Sequence, residues 1–257
     1  MKSTLLIDGD EYLFKACAAV EREVRWDQWN HVLYCNEGEA WDNFVRLVAQ
    51  LTERFGTTAV YLCFSGDQPY FRAALLPTYK AGRSRKPLCY TLLRERCDEE
   101  YRVVTFPHLE ADDVMGLLST QPGKTGKRII VSQDKDMKGV PGLLSRDGRT
   151  VETISEVDAD LFFMTQVLTG DVTDGYPGCP GVGPVKAEKI IQDAINKEAH
   201  LAGNATACVW PSVVIAYEKK GLTEADALTQ ARLARILRWS DWDNQKKEPI
   251  LWSPSSQ

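Results

Sequence analysis

The sequence predicts an α/β fold, a wound and mainly parallel sheet followed by a helical C-terminal part, on three observations. Short apolar runs alternate with longer amphipathic ones through residues 1–157, and strands separated by helix-length segments pair in parallel through crossovers. Acidic residues follow closely on each of the four clearest apolar runs. Beyond residue 158 the pattern turns helical, broken by Pro and Gly only between Tyr176 and Pro184.

Taken in order, residues 4–7, 59–64, 102–106 and 128–131 read as strands. Residues 143–146 and 150–154, joined by Asp147-Gly148, read as a hairpin appended to the sheet. Residues 22–43 carry Trp26, Trp29 and Trp41 without a clear period and receive no assignment. The expected division is an α/β part at 1–157, with a basic arch at about 70–106, and a helical part at 158–257. Only the 253–257 tail reads as disordered.

With 44% hydrophobic residues among 257, the chain can bury a full core. Neither a secretion signal nor a membrane span appears at the start, so a soluble cytoplasmic protein is expected, with no membrane partner. Seven cysteines without a Cys-x-x-Cys pair fit neither a disulfide framework nor a zinc site and read as reduced. The net charge of −5 argues against a polyanionic partner only until its distribution is read. Residues 72–96 hold seven basic residues against one acid, a local charge of +6.

The acids carry the chemistry. Asp8 ends the first strand, Asp67 follows the second, Glu110, Asp112 and Asp113 follow the third, and Asp134 and Asp136 follow the fourth. In an open α/β sheet the carboxyl ends of parallel strands share one edge, where ligands bind. Asp171 and Asp174, spaced i and i+3 after an apolar helix at 161–168, can face that edge from the helical part. So many like charges raise one another's pKa unless cations neutralise them. Oxygen-only donors suit hard divalent ions, and nine acids suit two Mg²⁺, with Mn²⁺ as a substitute. Two such ions stabilise the attacking and leaving oxygens in phosphodiester hydrolysis. Taken singly, an Asp after a strand is usually a helix cap; Asp10 reads as one, and so would Asp112 or Asp113 alone. Asp134 and Asp136 around Lys135 also suit a solvated turn. Four strand ends and a helix supplying acids to one edge is what caps do not explain.

Arg72, Tyr79, Lys80, Arg83, Arg85 and Lys86 lie between the second and third acid clusters, so the chain carrying them leaves the acidic edge and returns to it. Lys80 and Arg83 are the candidates to hold the scissile phosphate, Tyr79 offers a face for base stacking, and the other cations suit a DNA backbone. Residues 177–187 join two helical stretches, with Pro184 suited to a first helical turn. Gly181 and Gly183 there let backbone N–H groups approach a phosphate. Alone, each feature also fits a solvated basic face or a plain interhelical turn.

Together these residues resemble the 5′-nuclease family: the 5′-to-3′ exonuclease domain of bacterial DNA polymerase I, flap endonucleases and phage 5′ exonucleases. The resemblance runs from Leu5 to about Ile191. It rests on Leu109-Glu110-Ala111-Asp112-Asp113-Val114-Met115-Gly116, on Asp134-Lys135-Asp136-Met137, and on Thr169-Gly170-Asp171-Val172-Thr173-Asp174 followed by Pro180-Gly181-Val182-Gly183. It implies a PIN-like (resolvase-like) α/β fold with a helix-three-turn-helix element, of the helix-hairpin-helix type, that grips duplex DNA. By that similarity Asp8, Asp67, Glu110, Asp112 and Asp113 serve one metal, and Asp134, Asp136, Asp171 and Asp174 the other or its water shell. Lys80 and Arg83 match a cationic helix over the active site, Lys15 a basic position after the first strand, and Lys186 a contact to the DNA backbone. In relatives the hairpin also holds K⁺ through carbonyl oxygens.

Two departures stand out. Only 42 residues separate Asp67 from Glu110, so the arch is small, and Gly175 replaces the asparagine of the polymerase-associated members. With no polymerase domain following, a stand-alone enzyme of the phage type is expected. Its substrates would be DNA with 5′ ends, flaps or nicks, or an RNA–DNA hybrid, and replication proteins are candidate partners. A haloacid-dehalogenase-type phosphatase, suggested by Asp8-Gly9-Asp10, would use Asp8 as nucleophile and leave the glycine hairpin and basic segment idle. A non-catalytic structure-specific DNA-binding module would have no need of nine acids.

Overall fold

A computed structural model describes residues 3–197 and 205–254, so the tail expected to be disordered lies largely outside the described residues. Two compact units emerge, and the chain crosses between them repeatedly: the first comprises Met1–Asp67, Ser84–Asp134 and Leu143–Glu152, the second Gln68–Arg83, Lys135–Gly142 and Thr153–Gln257. A cut near residue 157 therefore describes only the last crossing. The arch splits at Arg83, and the stretch after the fourth strand belongs with the C-terminal helices.

The first unit is built on β1 (Ser3–Asp8), β4 (Val60–Cys63), β5 (Val103–Val104), β6 (Lys127–Val131) and β7 (Gly142–Ser145). All pair in parallel, and the sheet order is β5-β4-β1-β6-β7, extended by β8 (Glu152–Ile154) where the chain leaves the unit. Strand order reverses at β1, because the chain moves outward to β4 and β5 and then returns to β6 on the other side. That reversal opens a crevice at the carboxyl ends of β1 and β6. Leu5 and Ile7 of β1 pack with Leu62, Ile129 and Val131 and with the apolar face of α1 (Gly9–Ala18) and α2 (Glu37–Phe55), which contributes Trp41, Phe44, Val48 and Leu51. The predicted strands are all present, each within about three residues of its expected bounds.

Residues 22–43, left unassigned, form a ribbon of β2 (Arg22–Arg25) and β3 (His31–Tyr34) and then the start of α2, capped by Asn36. The basic stretch contributes a single turn of helix, α3 (Phe71–Leu75), in the second unit, and α4 (Tyr90–Glu100) in the first. α5 (Ala111–Thr120) follows β5.

The second unit is helical, as its sequence predicts: α6 (Glu156–Thr169), α7 (Pro184–Lys197), α8 (Ala205–Glu218) and α9 (Glu224–Ala234). Phe163, Val167, Ile191, Val213 and Trp252 form its core. A two-stranded hairpin, β9 (Trp242–Asp243) with β10 (Glu248–Pro249), was not anticipated, since strands of two residues carry no periodicity to read. Among the described residues no helix is long and apolar enough to cross a membrane.

Candidate active site

Each acid cluster of the first unit sits where a parallel strand ends. Asp8 closes β1 and caps α1, its Oδ1 accepting the Glu11 amide at 3.0 Å, so the cap expected at Asp10 belongs to Asp8. Asp10 instead accepts the Ser65 amide at 2.9 Å and the Tyr90 hydroxyl, which ties α1 to β4 and α4. Glu110 is the N-cap of α5 and forms a reciprocal capping box with Asp113, and both are buried. Asp67 and Asp134 are exposed, and Asp112 is half-buried. The loop carrying Asp67 lies flush against the chain before Glu110: Gly66 donates to Leu109 O at 2.9 Å, and a Cβ there would fall 2.1 Å from Phe106 O.

The crevice between β1 and β6 is bridged by hydroxyl and carboxylate. Ser132 Oγ donates to Asp8 Oδ2 at 2.9 Å and lies 3.1 Å from Glu11 Oε2, which also accepts the Gln133 amide at 2.7 Å. Burial, reinforced by the charges of Glu11 and Asp10, pushes the Asp8 carboxyl up to about 7 against the lowering effect of its hydrogen bonds. Glu11 and Ser132 were missed in the sequence. Glu11 lies one turn after Asp8, a readable signal, but its partners across the sheet follow only from strand register. The expected DNA contact Lys15 pairs its ammonium with Glu11.

The second unit holds the remaining acids and most of the cations. Asp171 and Asp174 lie in a tight turn closed by Asp171 N donating to Tyr176 O at 2.9 Å and Gly175 N to Asp171 O at 2.9 Å. That turn is held by the direct contact of two glycine backbones with positive φ: a Cβ on Gly178 would fall 2.3 Å from Gly170 N, and one on Gly170 2.4 Å from Pro177 C. Lys80 Nζ lies 3.2 Å from Asp174 Oδ2, Arg83 NH2 3.6 Å from Oδ1, and the Tyr79 hydroxyl donates to Oδ2 at 3.2 Å. Lys135 Nζ bridges Asp136 Oδ1 at 2.8 Å and Asp171 Oδ2 at 2.6 Å, and Gln166 Nε2 donates to the same Asp136 oxygen at 2.7 Å. Burial raises the Asp171 carboxyl, but the Lys135 ammonium and the Thr173 and Asp174 amides outweigh it and leave it below the ordinary range. The buried Tyr176 phenol is pushed up by burial and by Asp136, Asp171 and Asp174, and stays protonated. Lys135, Gln166 and Tyr176 were not singled out in the sequence.

Several expectations need correction. Arg72 is 3% exposed, its Nε donating to Leu233 O at 2.9 Å and its NH2 to Arg235 O at 2.6 Å; it braces α3 against the end of α9 and does not face DNA. Tyr79 is 7% exposed and offers no face for stacking. Lys80 lies in a turn after α3 with φ +54°, and Arg83 in irregular chain just beyond it; neither is on a cationic helix. Arg85 is held by both carboxylate oxygens of Glu21, at 3.0 and 2.6 Å, while Lys86 lies over the Tyr90 ring and 3.9 Å from Asp10 Oδ1. Among the described residues no three acidic, histidine or cysteine side chains are drawn into a ready-made cation cage; lysines and hydroxyls take the place at these oxygens that a multivalent ion would. At the glycine hairpin, Pro184 opens α7 as predicted, Gly181 adopts φ +72°, Gly183 faces open space, and Lys186 Nζ donates to Gly181 O at 2.8 Å.

The comparisons with known proteins agree with this architecture. Residues 3–142 match the family model of the 5′-3′ exonuclease N-terminal resolvase-like domain. The exodeoxyribonuclease of Enterobacteria phage T3 is 30% identical, over 99% of this chain and 94% of its own, and the exonuclease of Escherichia phage T7 is 28% identical, over 98% and 94%. A structure described as divalent metal ions (zinc) bound to T5 5′-exonuclease superposes with a TM-score of 0.62 at 15% identity, over 91% of this chain and 89% of that one, a likeness of fold. On the family match and on the near full-length identity, the chain belongs to the 5′-3′ exonuclease family.

Proposed function

We propose that this nuclease hydrolyses DNA phosphodiester bonds at or near 5′ ends, leaving 5′-phosphate products, with divalent cations held by the acids of its two units. The observation that carries the reading is the Asp8 carboxyl, buried at the sheet's reversal point, where one hydroxyl, Ser132 Oγ, lies 2.9 Å from Asp8 Oδ2 and 3.1 Å from Glu11 Oε2; burial and these acidic neighbours push the carboxyl up. A buried carboxyl in that state has a deficit of positive charge that a cation makes good. The donors are all oxygen, which suits Mg²⁺, with Mn²⁺ as a substitute. Asp8, Asp67, Glu110, Asp112, Asp113 and Asp134 form the set in the first unit, and Asp136, Asp171 and Asp174 the set in the second. Ions bound at these acids would supply Lewis-acid activation of the phosphate and of the attacking water.

The chain's own groups do the rest. Asp174 holds the Lys80 ammonium and the Arg83 guanidinium side by side. These cations bind the scissile phosphate and offset the charge that develops on its oxygens. Tyr79 and Tyr176, both buried beside the acidic turn, exclude water from its inner side. Gly181 and Gly183 open the start of α7 to a backbone phosphate, and Lys186 adds charge there; in the first unit Lys15, Arg85 and Lys86, each beside a carboxylate, are the further candidates for phosphate contacts. The Gly181 carbonyl, which accepts the Lys186 ammonium, offers K⁺ the same oxygen. Such contacts read phosphates and not bases, so an RNA–DNA hybrid with a 5′ end is a further substrate.

Product lengths from 5′-flap, nicked, blunt and circular single-stranded substrates, with and without Mg²⁺, test the reading: cleavage should need the ion and a free 5′ end. Asp171→Asn and Asp134→Asn should abolish cleavage while DNA binding persists. Mg²⁺-dependent turnover retained in both variants would refute the assignment.

A further inference from the structure

The β2–β3 ribbon supplies no residue to the acidic site. All eight of its strand residues are exposed, and the two indoles at its tip, Trp26 and Trp29, are 79% and 82% exposed. Burying such rings is worth more than burying most other side chains, and a two-stranded ribbon is barely stable alone, so leaving both rings in water has a cost the fold does not recover.

The tip is nonetheless fixed. Trp26 N donates to Asn30 O at 2.9 Å, Asp27 Oδ1 accepts the Trp29 and Asn30 amides at 2.7 and 2.8 Å, and Asn30 Nδ2 donates to Asp27 Oδ2 at 2.7 Å. These bonds fix the turn, and the two indoles project from it; on the stem Glu23 pairs with His31. Along the stem, Arg22 stacks on Tyr34 with 5.2 Å from guanidinium carbon to ring centroid, and Arg25 Nε donates to Asp27 O at 3.1 Å. Aromatic faces interleaved with arginines are the chemistry that takes unpaired bases and their phosphates without regard to sequence.

The root of the ribbon says which surface it continues. Glu21, just before β2, holds Arg85 through two oxygens and accepts the Leu88 amide at 2.6 Å. Cys35, just after β3, accepts at its carbonyl from the Cys89 thiol at 3.7 Å. Both strands thus spring from the segment that carries Arg85 and Lys86. A strand leaving those cations meets the ribbon next.

We propose that the ribbon at 22–34 is an auxiliary binding arm for single-stranded DNA, with Trp26 and Trp29 stacking on bases and Arg22 and Arg25 reaching phosphates. The proposal rests on the nuclease reading for its substrate but is tested without turnover. In EDTA, anisotropy of a fluorescein-labelled oligo-dT titrated with the full chain should show affinity falling at least about tenfold in Trp26→Ala/Trp29→Ala, and largely restored in Trp26→Tyr/Trp29→Tyr. With Mg²⁺, the alanine pair should raise KM on a long 5′ flap at unchanged kcat and leave a nicked duplex cleaved as before. Unchanged oligo-dT affinity overturns the proposal. So does an equal loss of duplex and single-strand affinity, which would make the ribbon a general backbone contact. A change of sedimentation coefficient with oligo-dT affinity intact also overturns it, since a second copy of the chain would then be the occupant. Failure of the wild-type protein to cleave any substrate would strike the nuclease reading and leave the EDTA titration standing.

Discussion

The two units carry acid clusters in different electrostatic states, six candidate acids in the first and three in the second. In the first unit Asp8 is buried among Glu11 and Asp10 and is supported by an amide and a hydroxyl, so its carboxyl is pushed up to about 7. In the second, Asp136, Asp171 and Asp174 face Lys135, Lys80 and Arg83, and Asp171 is held below its ordinary range. Identical side chains thus arrive at their role by different routes. Asp8, buried beside two further acids, gains most from a bound ion; Asp171 and Asp174 are held by cations of their own chain, so an ion must compete for them. Burial without a partner raises a carboxyl, and a tethered ammonium lowers it.

The largest expected effect comes from removing a tethered cation that also serves the substrate. Lys80→Ala should lower the rate at saturating DNA and Mg²⁺ on the order of 100-fold, the scale of losing one charge-stabilising donor. Single-turnover kinetics would measure it, and an unchanged maximal rate would reduce Lys80 to a structural partner of Asp174. A smaller effect should appear in the other unit as stability. Asp8 rises from 3.8 in its unperturbed state to about 7 when folded. The folded chain therefore binds more protons than the unfolded one between those values, and without metal it loses stability as pH climbs through that window. Asp8→Asn keeps a capping oxygen and removes the charge. In EDTA at pH 8 it should be more stable than wild type, a gap that closes by about pH 4. Thermal melts across pH, with and without Mg²⁺, would check this; a variant less stable than wild type at pH 8 in EDTA would mean the buried carboxylate already has its counter-charge.

Much of this contrast was legible in the sequence, and the part that was not has physical reasons. Parallel strands are apolar on both faces, so β1, β4 and β6 read as continuous runs, and Asp8 and Glu110 stood out at the strand ends. Residue type does not say which carbonyls wait in the fold: Arg72 looked like a phosphate ligand, but its acceptors, Leu233 O and Arg235 O, lie 161 and 163 positions away. Tyr79 failed likewise, its ring taken into a small core with Tyr176 and Leu233. The β2–β3 ribbon gave no period because neither of its faces is buried, which removes the alternation that marks a half-buried strand. Lys135 stood in plain view between two acids, and the turn reading it suggested was compatible with the bridge it makes to Asp171, 36 positions on.

That bridge offers the finest test of the comparison. Lys135 donates to Asp136 and Asp171 together, and although burial alone would depress its ammonium, the two carboxylates raise it well above the ordinary lysine range. Its side chain is still 54% exposed, so solvent screens the pair and its worth is modest. Lys135→Ala should accordingly strengthen Mn²⁺ binding only about threefold to fivefold, the scale of a partly exposed ion pair removed from competition. Calorimetric titration in the absence of DNA would read that change directly, apart from any effect on turnover. Weaker binding in the variant would reverse the interpretation: Lys135 would then be aligning Asp136 and Asp171 for the ion and not competing with it.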